Sequence, residues 1–81
     1  MSRTKEALKK LNKQQKDTLE TWAYMAIVAE ERGRDIYKEY HASMRGYLRA
    51  LEELGAINQT DSKLIWLYVN QTAIKEIAED E

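Results

Sequence analysis

The apolar side chains between residues 36 and 54 fall on one side of a helix, and this pattern constrains the fold more than any other feature of the chain. At about 100° per residue they occupy an arc roughly 120° wide, which is the width that a helix lying on a protein core presents. The segment is therefore predicted to be an amphipathic helix. Its apolar residues are Ile36, Tyr37, Tyr40, Met44, Tyr47, Leu48, Leu51 and Leu54.

Glycines and capping residues set the helix boundaries, because the chain contains no proline. Gly33 and Gly55 each follow a helical pattern, and glycine just past a last turn readily takes the left-handed cap conformation. Thr60 offers an N-cap for the segment that follows. The sequence thus predicts a single all-α domain over residues 1–81. Its fold would be a three-helix bundle with helices at 4–32, 35–54 and 60–79.

The first predicted helix carries an apolar stripe with one polar interruption, at Gln15 and Thr18. The stripe consists of Leu8, Leu11, Leu19, Trp22, Met25, Ala26 and Ala29. One continuous helix fits this pattern. Asn12 followed by Gln15 also fits a capping box, which starts a new helix. A break near Asn12, with residues 4–11 as a separate short helix, is therefore kept as an alternative.

The third predicted helix contains six consecutive apolar residues, 64–69, which periodicity alone cannot distinguish from a strand. No second segment offers a strand for it to pair with. The face of Trp66 and Val69 continues at spacings of three and four through Ala73, Ile74 and Ile77. These two observations favour a helix, apolar on every side over that run.

A second topology merges the first two predicted helices into one. Apolar positions alternate spacings of three and four from Leu19 to Leu54, passing through Gly33. An interior glycine costs only about 1 kcal/mol relative to alanine. Residues 13–54 would then form a single long helix within an intertwined oligomer. This topology ranks below the three-helix bundle.

The small size of the domain predicts association with a partner. Its 81 residues bury one small core, and such domains commonly add disulfides, a metal or a partner subunit. Cysteine is absent and His41 is the only histidine, which leaves a homodimer or another protein as the expected partner.

Apolar residues beyond the main stripes, together with the two tryptophans, are the predicted contact surface. These interface residues are Trp22, Tyr24, Ile27, Val28, Leu64, Trp66 and Tyr68. The alternative is a core arc wide enough to cover them, with the tyrosines at the edges of the bundle.

Positive charge is concentrated in two places. Residues 1–16 hold six lysines and arginines against Glu6 alone, a balance of +5, and form a basic N-terminal arm. The second place is a basic ridge on the second predicted helix, within an arc of about 80°. The ridge consists of Arg34, Lys38, His41, Arg45 and Arg49. Both surfaces suit phosphates or acidic side chains, and the alternative is a solvated helix flank.

No pattern of catalytic residues stands out. The chain has no cysteine, one histidine and no glycine-rich phosphate loop, so we expect no enzyme activity, cofactor or metal site. No apolar run approaches the roughly 18 residues of a membrane span, and no signal sequence follows the basic start. A cytoplasmic location without membrane contact is expected.

These observations predict a small noncatalytic helical protein-interaction module. It would associate with itself or act as a small regulator that docks on a larger protein. The alternative function is nucleic-acid binding through the basic arm and the basic ridge. It ranks second because clusters of this kind are more often solvated surface.

Overall fold

The computed structural model describes residues 2–80, which fold into four α-helices without a strand. The helices are α1, Arg3–Lys9; α2, Lys13–Glu31; α3, Tyr37–Glu53; and α4, Gln59–Asp80. The all-helical class is confirmed, including the helix at residues 64–69. The count of three is wrong, because the first predicted helix is divided into α1 and α2. Met1, the first residue of the predicted basic arm, and Glu81 lie outside the described residues.

The division between α1 and α2 lies at Asn12, as the capping pattern allowed. The backbone N–H of Gln15 donates to Asn12 Oδ1 at 2.8 Å, and the backbone N–H of Asn12 donates to Gln15 Oε1 at 2.9 Å. This reciprocal capping box satisfies N–H groups that a helix start otherwise leaves unpaired. α1 packs on α4, and Ala7 and Leu11 are buried.

Glycine ends α2 and α3 in the same way. Gly33 has φ +68° and Gly55 has φ +77°. In each case the glycine N–H and the next N–H donate to carbonyls of the last helical turn, at 3.0 and 2.9 Å. This is the Schellman arrangement, which terminates a helix. The single long helix over residues 13–54 is therefore wrong, since residues 32–36 connect two separate helices.

Alanine substitutions at the glycines are expected to have opposite effects. Gly33→Ala and Gly55→Ala force a β-carbon into the left-handed region, which lowers the free energy of unfolding by about 1–2 kcal/mol. Gly46 lies inside α3 in open space, so Gly46→Ala is expected to raise that free energy by about 1 kcal/mol. Urea denaturation followed by circular dichroism measures all three variants. A stabilised Gly33→Ala variant would contradict the described end of α2.

The N-cap of α4 is Asn58 and not Thr60. Asn58 Oδ1 accepts the backbone N–H of Asp61 at 2.8 Å, and Asp61 Oδ2 accepts the backbone N–H of Asn58 at 3.0 Å. Asn58 is the better cap because this reciprocal partner stands three residues further on, whereas Thr60 has Lys63 at that position. Lys10 also donates to Asp61, which ties the end of α1 to the start of α4.

The core lies where α2 packs against both α3 and α4, and α1 adds a layer on α4. Three buried alanines on α2, Ala23, Ala26 and Ala29, allow its neighbours to approach closely. The largest fully buried side chains are Leu19, Met44, Ile65 and Val69. Since α2 is the common partner of α3 and α4, these two helices are held side by side on it.

Two apolar residues assigned to the buried arc of α3 are exposed. Leu54 is 81% exposed and Ile36 is 44% exposed. The physical reason is that α3 is shorter than predicted, spanning Tyr37–Glu53, so both residues flank the helix instead of belonging to its face.

Met25 and Ile74 are exposed as well, contrary to the predicted stripes. The buried stripe of α2 is centred on Ala23 and Ala26, which leaves Met25 at its edge. The buried stripe of α4 instead runs at spacings of four through Ile65, Val69 and Ala73. Ile74 therefore faces outward, although it continues the apolar sequence pattern.

Candidate functional site

A groove opens between α3 and α4. Both helices pack closely on α2 but contact each other over few residues, which leaves a space of about 420 Å³ between them. The residues that line it are Arg45, Leu48 and Glu52 of α3, and Ser62, Lys63, Trp66 and Leu67 of α4. A groove between two helices with apolar residues at its base can accommodate the side chains of a binding partner.

Trp66 anchors the groove through contacts with two residues of the basic ridge. The His41 ring is tilted against the indole with centroids 5.5 Å apart, and Arg45 Cζ lies 5.6 Å from the indole centroid. A guanidinium over an indole is attracted by the ring electrons. Tyr37 extends the cluster through an edge contact with His41 at 5.7 Å. The structure thus joins a predicted interface residue to residues that the sequence assigned to the alternative function.

Two carboxylates have partners here, Glu52 in the groove lining and Glu53 in a neighbouring hollow. Ser62 Oγ donates to Glu52 Oε2 at 2.6 Å, a bond that links α4 to α3 across the groove. Glu53 Oε1 accepts Arg49 Nε at 3.3 Å. The hydrogen bond from Ser62 leaves Glu52 negatively charged, so the groove lining carries two cations and one carboxylate, whereas Glu53 is ion-paired with Arg49 in a neighbouring hollow.

The groove lining carries one cation on each wall and one carboxylate, Glu52, on the α3 wall. Arg45 stands on α3 and Lys63 on α4, and within residues 2–80 neither takes part in a salt bridge. A neighbouring hollow shares both cations and Glu52 and adds the Arg49–Glu53 pair. The groove is therefore an apolar trough whose lining has a net charge of +1, a combination that favours an apolar group accompanied by negative charge.

Five residues of the groove were not among the predicted site residues: Leu48, Glu52, Ser62, Lys63 and Leu67. Leu67 is the exposed apolar residue of this set. Its side chain is 56% exposed at the rim. The run 64–69 is apolar on every side, so periodicity within it does not tell which residue faces outward. A signal was present further along: if Ile65, Val69 and Ala73 form the buried stripe, Leu67 falls on the opposite side of the helix.

Six of the seven predicted interface residues, Trp66 among them, are partly buried and pack on the protein's own core. Trp22, for example, meets Tyr47 edge-on with ring centroids 5.5 Å apart. Val28 is half-buried beside a shallow hollow. Partly buried side chains that pack on the core include Trp22, Tyr24, Ile27, Leu64 and Tyr68. Of the predicted set, only Trp66 lines the groove.

Four of the five residues of the basic ridge lie on one helix. Arg34 lies in the connection before α3, and the other four members lie on α3. Lys38 Nζ is 6.0 Å from the centroid of the Tyr37 ring, and Arg49 is paired with Glu53. Within the ridge, His41 and Arg45 contact the Trp66 ring, and of these two only Arg45 lines the groove.

The described part of the basic N-terminal arm spans α1, the break at Asn12 and the first turn of α2. Lys9 lies 3.6 Å from Glu6, and Lys10 Nζ lies 2.7 Å from Asp61 Oδ2. Two hydrogen bonds hold the pKa of Asp61 below its usual value of 3.8: the bond from Lys10, which has the larger effect, and the bond from the backbone N–H of Asn58. Part of the arm's charge thus stabilises the fold.

Within residues 2–80 no three acidic or histidine side chains come together in a way that would hold a metal ion. None of the described helices has the length and apolar character that a membrane span requires.

Comparison with known proteins assigns no family or fold relative to this chain. No protein-family model matches it, and neither a curated protein nor a solved structure shows significant similarity to it.

Proposed function

We propose that this chain is a small noncatalytic interaction module that binds another protein through the groove between α3 and α4. The observation that carries the proposal is the position of Trp66, half-buried at the groove beside the exposed Leu67. Tryptophan and arginine are enriched among the residues that dominate binding energy at protein interfaces. Here Trp66 and Arg45 are already in contact, so little side-chain order is lost on binding.

Nucleic-acid binding is less well supported as a function of this surface. In the groove the cations Arg45 and Lys63 stand with the carboxylate of Glu52, and a backbone with a phosphate at every nucleotide is repelled by that carboxylate. The apolar base of the groove, around Leu48, suits a protein side chain better than a sugar–phosphate backbone.

The test of the proposal is affinity capture from the native cell with a matched pair of variants. Leu67 and Ile74 are each 56% exposed on α4, but only Leu67 lines the groove. We expect Leu67→Ala to weaken retention of a co-purifying protein by on the order of tenfold, and Ile74→Ala to retain it. Light scattering on the purified chain shows whether the retained partner is a second copy.

Equal retention by the two variants would contradict the proposed site. Recovery of nucleic acid with no protein, retained equally by Leu67→Ala and wild type, would favour the alternative function. Circular dichroism of both variants controls for folding, since each removes a side chain of equal exposure from the same helix.

A further inference from the structure

We infer that the occupant of the groove is an acidic amphipathic helix, with apolar side chains on one face and aspartate or glutamate at the flanks. The inference rests on the proposed function and adds the chemistry of the partner. It depends on three properties of the groove: its shape, its apolar base and the sign of the net charge of the residues that line it.

The shape of the groove suits a helix. Its two walls are helices held side by side on α2, and the gap between them is lined over more than a turn of each, from Arg45 to Glu52 and from Ser62 to Leu67. Helices pack by placing side-chain ridges into such grooves at axis separations of about 8–10 Å. A third helix laid along α3 and α4 would complete that packing and cover Leu67.

The base of the groove requires apolar groups from the partner. Leu48 is buried at the base, and Trp66 and Leu67 present apolar surface beside it. Burying an apolar side chain of the partner here contributes through the area removed from water. Carboxylates alone would leave this surface unmatched, so the partner needs both kinds of residue.

The net charge of the groove lining is positive, because the two cations Arg45 and Lys63 are accompanied by one carboxylate, Glu52. Arg45 lines the groove from α3 and Lys63 from α4, and in the described part of the chain no carboxylate forms a salt bridge with either. Glu52 is bonded to Ser62 and Glu53 to Arg49. Arg45 rests on the Trp66 ring, a contact that leaves the guanidinium edge available to donate to a carboxylate. Charge complementarity therefore favours acidic side chains on the occupant near Arg45 and near Lys63.

A single-stranded nucleic acid fits these properties less well. Such ligands stack their bases on open aromatic faces. The Trp66 ring already carries Arg45 over it and His41 tilted against it, so that platform is occupied.

The experiment is a selection from a phage-displayed library of random peptides of about 16 residues, a little over four helical turns, on the immobilised full chain. We expect enriched peptides to carry apolar residues at spacings of three and four and an excess of aspartate and glutamate. Synthetic versions of them should lose affinity by on the order of tenfold or more for Arg45→Glu with Lys63→Glu. The control is Lys5→Glu with Lys75→Glu, the same charge change at exposed positions outside the groove, which should bind as wild type.

Enrichment of neutral or basic peptides whose binding is weakened by Leu67→Ala would overturn the acidic occupant and leave the proposed function in place. Peptides that bind equally well to Leu67→Ala and to the charge-reversed variant would overturn both. Tighter binding of poly(U) RNA than of any selected peptide, lost in the charge-reversed variant, would also overturn the inference.

Discussion

Ile65→Ala is expected to lower the free energy of unfolding by about 3 kcal/mol, within the range measured when a buried isoleucine is truncated. Ile65 is 0% exposed and lies in the middle of the buried stripe of α4. Truncation removes its transfer free energy and leaves a cavity that neighbouring helices fill only in part. In a domain of this size the loss corresponds to a fall in Tm of more than about 10 °C.

The matched control is Ile74→Ala on the same helix. Ile74 is 56% exposed, so its truncation should change the free energy of unfolding by less than about 0.5 kcal/mol. Thermal denaturation followed by circular dichroism compares the two variants directly. Similar losses in both would mean that the assigned rotation of α4 about its axis is wrong, and with it the outward position of Leu67.

Asp61→Ala is expected to lower the free energy of unfolding by about 2 kcal/mol, because the Asp61 carboxylate accepts hydrogen bonds from two parts of the structure. Asp61 Oδ2 accepts the backbone N–H of Asn58, which completes the cap of α4, and Lys10 Nζ at 2.7 Å, which fastens α1. Its side chain is only 10% exposed, so water replaces these partners poorly. The control is Asp80→Ala at the exposed end of α4, for which little change is expected.

The pH dependence of stability supplies an independent check on Asp61. Its pKa is lowered in the folded chain, so its contribution is complete above the unfolded value of 3.8 and is lost as the pH falls through the lower folded value. Burial raises the pKa of the Glu20 carboxyl above 4.5, so a fall in pH stabilises the folded state through Glu20. This effect is opposite in sign to that of Asp61. The stability gap between wild type and Asp61→Ala should therefore narrow below pH 3.8. A gap that is independent of pH would exclude an ionised Asp61 as the source of the effect.

The parts of the fold that depend on local chemistry were predictable. Gly33 and Gly55 both take positive φ and end helices, as their places after apolar helical patterns indicated. The arc of α3 also places Met44, Leu48 and Leu51 in the core. In these cases one residue type or one periodicity decides the outcome without reference to the rest of the chain.

The break at Asn12 depends on contacts that the local sequence does not contain. A continuous helix and a capping box both fit residues 4–32 locally. The separate α1 packs on α4, and Lys10 meets Asp61 fifty-one positions away in the chain. Periodicity carries no information about such pairs, which is why the sequence left both alternatives open.

The candidate site was predicted in pieces and not as a whole. Trp66 was expected at a protein interface, and Arg45 and His41 on a basic ridge with an alternative function. They meet because α3 and α4 lie side by side on α2, a tertiary arrangement that no motif in the chain specifies. Leu67 was missed because its neighbours in the run 64–69 are equally apolar.

The most direct test of the groove uses the two tryptophans, the only ones in the chain. Each gives one indole N–H signal in a proton–nitrogen correlation spectrum of isotope-labelled protein. On titration with the captured partner or a selected acidic peptide, we expect the Trp66 signal to shift and the Trp22 signal, from the ring packed on Tyr47 outside the groove, to stay in place. A shift of Trp22 with Trp66 unchanged would contradict the groove as the binding surface.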